Sequence, residues 1–190
     1  MGEPSGGAPL VGVLALQGDY QAHGKVLERL GAAVREVRVP PDLNELEGLV
    51  IPGGESTTMT LGVEREGLGD PLRELAARGT PILGSCAGLI MLDREHLGIV
   101  DMVAQRNAFG RQVRSFEADI DMKGLVGGPL RGVFIRAPWI AEHGSGVEIL
   151  AEVDGRAVAA CQGNALAVAF HTELGGDDRV HRMLLDLIAK

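Results

Sequence analysis

The sequence predicts an α/β fold: an open, mostly parallel sheet with helices on both faces and an antiparallel extension. Three observations carry that expectation. In the N-terminal half, apolar runs of strand length alternate with helical periodicities, and the runs ending at Leu16, Ile51 and Leu83 lead into glycine-bearing loops. Beyond Val113 this rhythm gives way to short strand-like runs separated by Asp154-Gly155 and Gly163-Asn164, dipeptides suited to tight hairpin turns. Composition agrees, because 45% of residues are hydrophobic but only 3% aromatic. The core must therefore come mainly from Val, Leu, Ile and Ala, as suits parallel strands covered on both faces.

A chain of 190 residues fits one domain, expected over residues 10–190, with residues 1–9 as a flexible leader. The net charge of −8 argues against nucleic-acid and anionic-membrane partners, which need a basic face. The first residues lack the basic and apolar regions of a signal peptide, and no apolar stretch reaches transmembrane length. Only Cys86 and Cys161 are available for a disulfide, at unrelated spacing, so a reduced, cytoplasmic setting is expected.

Taken in order, residues 10–16 read as a strand leading through Gln17-Gly18-Asp19 into a helix with Val26, Leu27 and Leu30 on its apolar stripe, stopped by Gly31. The loop lacks Gly-x-Gly-x-x-Gly, so no dinucleotide site is expected. His23 is read as a solvated or partner-facing residue of that helix. Residues 34–39 form a second expected strand, ended by Pro40-Pro41. Residues 48–51 form a third, running into Pro52-Gly53-Gly54-Glu55-Ser56. Open α/β sheets place ligands at such a glycine pair, and Ser56 is the expected N-cap of a helix over residues 56–65. Asp70-Pro71 marks a second helix start, with Asp as N-cap. Later strands are expected over residues 116–122, 132–136, 147–153, 157–161 and 165–170, the last three forming an antiparallel meander. An amphipathic helix over residues 177–189 closes the chain.

The chemistry is expected between these elements. Gly84-Ser85-Cys86-Ala87-Gly88 follows an apolar run and precedes a helical pattern, the form of a nucleophile elbow: small residues two either side of the nucleophile let the backbones pass at a sharp turn. A helix N-terminus at that point favours thiolate over thiol. A cysteine nucleophile needs an imidazole base, and the imidazole needs a carboxylate to hold its tautomer. His171 and Glu173 lie two apart after the expected 165–170 strand, a spacing that puts both on one side of its extended continuation. Cys161, inside a strand-like run, is read as core packing. The dispersed histidines offer no metal-ligand spacing.

Six segments occur in the order seen in class I glutamine amidotransferases: Gly12 to Gly18, Pro52-Gly53-Gly54-Glu55-Ser56-Thr57, the elbow, Arg106 to Gln112, Phe134-Ile135-Arg136-Ala137-Pro138 and Phe170-His171-Thr172-Glu173-Leu174. Within that family the chain resembles the glutaminase subunits of pyridoxal 5'-phosphate synthases, over nearly its whole length. Thr172 stands where that family usually has proline, and the stretch from Cys86 to Arg106 is short. The resemblance implies hydrolysis of L-glutamine by a Cys86, His171 and Glu173 triad, without a metal or cofactor. It implies an oxyanion hole from the N–H groups of Gly54 and Ala87, and a pocket lined by Gly54, Glu55, Ser56, Arg106, Ile135 and Arg136. Glutamine carries an α-carboxylate and an α-ammonium, so Arg106 and Arg136 are candidate carboxylate partners and Glu55 a candidate ammonium acceptor. It also implies a hetero-oligomer with a barrel-shaped synthase subunit that consumes the ammonia. The Gly53-Gly54 peptide, free of Cβ constraints, is expected to switch that hole on when the partner binds. Other readings remain: the glutaminase subunit of a different amidotransferase, or a non-catalytic thiol-based redox or binding module on this fold.

Overall fold

The computed structural model describes residues 7–106 and 115–190. Residues 1–6 of the expected leader, and residues 107–112 of the segment that begins at Arg106, lie outside the described residues. β1 (Leu10–Leu14) and β2 (Ala33–Val37) flank α1 (Tyr20–Arg29); β3 (Gly48–Ile51) is followed by α2 (Ser56–Arg65) and α3 (Gly69–Ala77), and β4 (Ile82–Ser85) by the short α4 (Ala87–Leu92). Then come β5 (Met102–Gln105), β6 (Ser115–Ile120), β7 (Leu130–Ile135), β8 (Trp139–His143), β9 (Glu148–Val153) and β10 (Arg156–Gln162). β11 (Ala165–Val168) and α5 (Arg179–Ile188) complete the order.

The main sheet runs β2-β1-β3-β4-β11-β10-β8-β5, with β9 also on β10. The first five of these strands pair in parallel. From β11 onward the pairing is antiparallel, and β6 and β7 form a separate two-stranded ribbon. The expected α/β class, with its parallel sheet and antiparallel extension, is what the chain adopts. Every residue of β3, β4 and β11 is buried, which is why these strands read as unbroken apolar runs instead of alternating ones. Leu49, Ile51, Leu83, Phe134 and Phe170 are fully buried, and each such side chain contributes about 1.5–3 kcal/mol by leaving water.

Strand order also places the site. The chain steps outward from β1 to β2 but in the opposite sense from β3 to β4, so right-handed crossovers set α1 and α2–α3 on opposite faces. Where the direction reverses, a crevice opens at the carboxyl ends of the strands. The segments after β1, β3 and β4 all end there, and β11 delivers the segment carrying His171 beside them.

Several local expectations are corrected. β1, β2 and β11 stop two residues short of their expected ends, and Pro40–Leu43 form a 3-10 turn. Ser56 is the first helical residue of α2 and Glu55 is its N-cap. α3 starts at Gly69 with Leu68 at the N-cap; Asp70 instead pairs with Arg73 at 2.9 Å, one turn on. Pro71 is tolerated there because first-turn N–H groups have no helical acceptor. The Asp154-Gly155 turn has positive φ at both residues, 52° and 71°, as a hairpin twisting with its strands requires. β5 and β8 were not predicted: each mixes buried and exposed positions without a clean period.

Candidate active site

β4 ends at Ser85 and α4 begins at Ala87, leaving Cys86 to make the turn at φ 52°, ψ −105°. A non-glycine residue pays about 1–3 kcal/mol for such backbone, and it persists here because neighbours hold it. The Cys86 N–H donates to the Val168 carbonyl at 2.8 Å, and the Ser85 hydroxyl donates to the Phe170 carbonyl at 3.0 Å. The elbow is thus tied to the chain that leads to His171. A Cβ at Gly88 would collide with the Ile51 carbonyl, and one at Gly84 with the Gly88 carbonyl, so the small flanking residues of the motif answer to close approach.

His171 and Glu173 meet by a different route from the expected one. β11 stops at Val168; His171 then forms an isolated antiparallel bridge to Val133 of β7, donating its N–H to that carbonyl at 2.8 Å. A turn follows, and it is this turn that folds Glu173 back onto His171. The strand cannot continue because residues past Val168 leave the β4 ladder for β7. The Nδ1 of His171 lies 2.6 Å from Oε1 of Glu173, whose side chain is 0% exposed. Burial opposes charge on His171, yet hydrogen bonds to Cys86 and to Glu173 outweigh it and raise the pKa to about 10. Burial likewise opposes charge on Glu173, but the His171 hydrogen bond and the adjacent His23 keep its carboxyl below the ordinary range. An acid–base pair held this way keeps an imidazolium beside Cys86 at neutral pH.

The loop after β3 closes against this pair. A Cβ on Gly53 would sit 2.7 Å from Cε1 of His171, so only glycine lets the imidazole stack on that backbone. Gly54 has φ +146°, open to glycine alone. The following N–H, of Glu55, donates to Oε1 of Gln17 at 2.7 Å, and Gly53 accepts from the Asp19 N–H at 3.3 Å. Gln17 thus anchors the loop from the end of β1.

Glu55 caps α2, accepting from the N–H groups of Thr57 and Thr58 at 3.0 and 2.7 Å and from the Thr58 hydroxyl at 2.8 Å. Those bonds, the Thr58 hydroxyl first, lower its pKa from 4.5 to about 2. Its folded pKa lies below its unfolded one, so its stabilising contribution is present above pH 4.5 and is lost as pH falls through about 2. The stability gap between wild type and Glu55→Gln in urea unfolding should therefore be open at pH 6 and narrow steadily in acid. It should also shrink with salt, since the group is exposed. A gap that widens below pH 4.5 would contradict the cap.

A cavity of about 350 Å³ gathers Gly54, Glu55, Ser56, Cys86, Ala87, Arg106, Ile135, Arg136 and His171, with Ile90 and Pro138 added. All residues expected to bind substrate thus face one space, and Glu173 stands behind His171. Arg106 donates to the Thr57 hydroxyl at 3.2 Å. Arg136, like Cys86, holds a positive φ, 47°. Cys161 lies half-buried in β10, away from this cavity, its thiol pushed up mainly by burial. Among the described residues, no three His, Cys, Asp or Glu side chains come together as a metal site, and no helix is long and apolar enough to cross a membrane.

His23 requires correction. It is fully buried, with Nδ1 2.9 Å from Nε2 of His181 on α5 and Nε2 3.3 Å from Oε2 of Glu173. Its position three and four residues before Val26 and Leu27 put it on the apolar stripe of α1, and His181 sits likewise beside Val180 and three before Leu184. A polar residue on an apolar stripe is the local signal for both histidines, which the structure places beside the site.

The chain matches the SNO glutamine amidotransferase family over residues 13–190. It is 50% identical over 189 residues to the pyridoxal 5'-phosphate synthase subunit PdxT of Streptomyces avermitilis, covering 95% of this chain and 94% of that one. To the subunit of the same name from Bacillus licheniformis it is 48% identical over 187 residues, covering 95% of each. Among solved structures, a glutamine amidotransferase superposes with a TM-score of 0.89 at 43% identity, over 95% of this chain and 99% of that one. PurLQS from Thermotoga maritima shares the fold, with a TM-score of 0.76 at 18% identity over 94% and 98% of the two chains.

Proposed function

The chain belongs to the SNO glutamine amidotransferase family, and from that premise we propose that Cys86, His171 and Glu173 are the triad with which it hydrolyses L-glutamine. It is a glutaminase that supplies ammonia for pyridoxal 5'-phosphate synthesis, in concert with a synthase partner. The observation that carries the triad is that His171 and a strained elbow cysteine line one cavity, with the buried Glu173 on Nδ1 of His171 behind it.

The Cys86 thiolate attacks the side-chain carboxamide carbon, and the carbonyl oxygen takes up the negative charge. The N–H groups of Gly54 and Ala87 stabilise that oxyanion. His171 gives its proton to the departing nitrogen, ammonia leaves, and a γ-glutamyl thioester remains. His171, now neutral, takes a proton from water as it attacks the thioester; the carbon–sulfur bond breaks, releasing glutamate and the thiolate. Glu173 holds the imidazole by its Nδ1–H and offsets the imidazolium charge in both steps. Arg106 and Arg136 bind the α-carboxylate, and Ser56 and Ile135 complete the wall. Glu55, engaged as a cap, keeps carboxylate lone pairs for the α-ammonium. This architecture uses no metal or cofactor, and a cytoplasmic setting suits a nucleophile that must stay a free thiol.

We assign the activity to a single domain over residues 10–190, with residues 1–9 as leader, working in a hetero-oligomer with the synthase subunit. The Gly53-Gly54 peptide provides the coupling: turned one way its N–H meets the oxyanion, turned the other it does not. Losing one such donor costs roughly two to three orders of magnitude in rate. Glutamate release by the purified chain should therefore be weak and strongly stimulated by the synthase subunit. Equal rates with and without the partner would overturn the gating, and no hydrolysis even with the partner would overturn the triad. A thiol sensor would need no positioned acid–base pair, so the His171–Glu173 contact favours catalysis over a redox role.

A further inference from the structure

Behind the Glu173 carboxylate, on the side away from the cavity, the structure holds two fully buried histidines that the reaction above does not use. His181 on α5 and His23 on α1 lie 2.9 Å apart, Nε2 to Nδ1, and the rings are tilted at 46° with centroids 5.1 Å apart. The far nitrogen of His23, Nε2, is 3.3 Å from Oε2 of Glu173. Neither of those two atoms has a hydrogen-bond partner among the described residues; they face each other without hydrogen-bond alignment. Leaving a buried carboxylate oxygen and a ring nitrogen unsatisfied costs about 1–3 kcal/mol each, so their juxtaposition is the arrangement that limits that cost.

We infer that His23 is a positioning residue of the glutaminase, a neutral imidazole whose Nε2–H holds the second oxygen of Glu173 so that the first stays aimed at His171. This rests on the triad reading and adds a layer to it. The tautomers follow from the acceptors. Glu173 accepts only, so a neutral His23 must carry its proton on Nε2; the opposite tautomer would turn a lone pair towards a carboxylate. Nδ1 of His23 is then an acceptor, and Nε2 of His181 must donate to it. The donors converge on the carboxylate: His181 donates to His23 and His23 faces Oε2 of Glu173, while His171 donates to Oε1 from the other side.

Charge states agree with this order. Burial dominates at His23 and lowers its pKa, with the nearby His171 adding to the effect and Glu173 and Asp19 opposing it. Burial, then His23, brings His181 down to about 3. Both are neutral where the enzyme works, so the carboxylate charge is kept for the imidazolium of His171. A second donor fixes the carboxylate plane, which a single bond to His171 would leave free to turn. At 3.3 Å the two atoms are within reach but not aligned as a hydrogen bond, and catalytic contacts of this kind align and tighten when the reacting complex forms.

Nitrogen-15 NMR of histidine-labelled wild-type protein reads the tautomers directly, without substitution. His23 and His181 should both be neutral Nε2–H forms; an Nδ1–H form at His23 would overturn the inference. Two variants then separate positioning from packing in assays with the synthase subunit present. Gln places an amide donor near the Nε2 position, whereas Asn reaches only the Nδ1 position towards His181. His23→Asn should lose about 10- to 100-fold in kcat with little change in KM for glutamine, as a misplaced catalytic group does. His23→Gln should stay within about threefold of wild type. Equal losses in the two variants, or none in either, would overturn the positioning role. Failure of the triad reading would show differently, as a Cys86→Ala protein that retains activity.

Discussion

Cys86→Ala should abolish glutamine hydrolysis, whether or not the synthase subunit is present. Removing the nucleophile of a triad costs about a millionfold in kcat, because the remaining members have nothing to activate. No second thiol is positioned to substitute: Cys161 lies in β10, outside the cavity that holds Cys86 and His171. Cys161→Ala should accordingly keep wild-type turnover. A glutamine analogue bearing an electrophile should label Cys86 alone, detected by peptide mass. Alanine preserves the short side chain at the elbow, and the backbone bonds from Cys86 N–H and the Ser85 hydroxyl do not involve the sulfur, so circular dichroism should be unchanged. Substantial turnover by a folded Cys86→Ala protein would remove Cys86 from the mechanism.

The Glu173→Gln substitution should lower kcat by two to roughly four orders of magnitude while leaving the fold intact. The carboxylate sits 2.6 Å from Nδ1 of His171 in a site with no exposure of its side chain, where electrostatic contacts are weakly screened. The amide is nearly isosteric, so packing against the turn is kept. It carries no charge to balance the imidazolium that forms when His171 takes its proton, and its NH₂ group competes for the wrong tautomer. KM for glutamine should move little, since Glu173 stands behind the imidazole and away from the cavity. An unchanged kcat would reduce the machinery to Cys86 and His171.

Much of this was legible because its physical cause is local. The elbow shows in sequence because two backbones pass within contact at Gly84 and Gly88, and only a missing side chain permits it. The central parallel strands β3, β4 and β11 show because burial on both faces demands unbroken apolar runs, and the β9–β10 turn shows because positive φ at two successive residues selects Asp154-Gly155. The capping of α2 was misread by one residue, since Glu55 and Ser56 both offer an oxygen at the helix start and only the backbone geometry decides which one faces Thr57 and Thr58.

What the amino-acid sequence alone determined was the fold class, the elbow, and which residue types stand ready for nucleophile, base and orienting acid. Only the tertiary structure decided how they are assembled. The spacing of His171 and Glu173 suggested an extended strand, but a bridge to Val133 and a turn make the contact, because β7 draws the chain away from the sheet after Val168. His23 and His181 are separated by 158 residues, and nothing local in either helix encodes the other. A polar side chain on an apolar stripe has two outcomes, exposure at the stripe's edge or burial against a partner. The partner here is supplied by the packing of α1, α5 and the Glu173 turn, a long-range coincidence that exists only once the sheet has brought the two helices side by side.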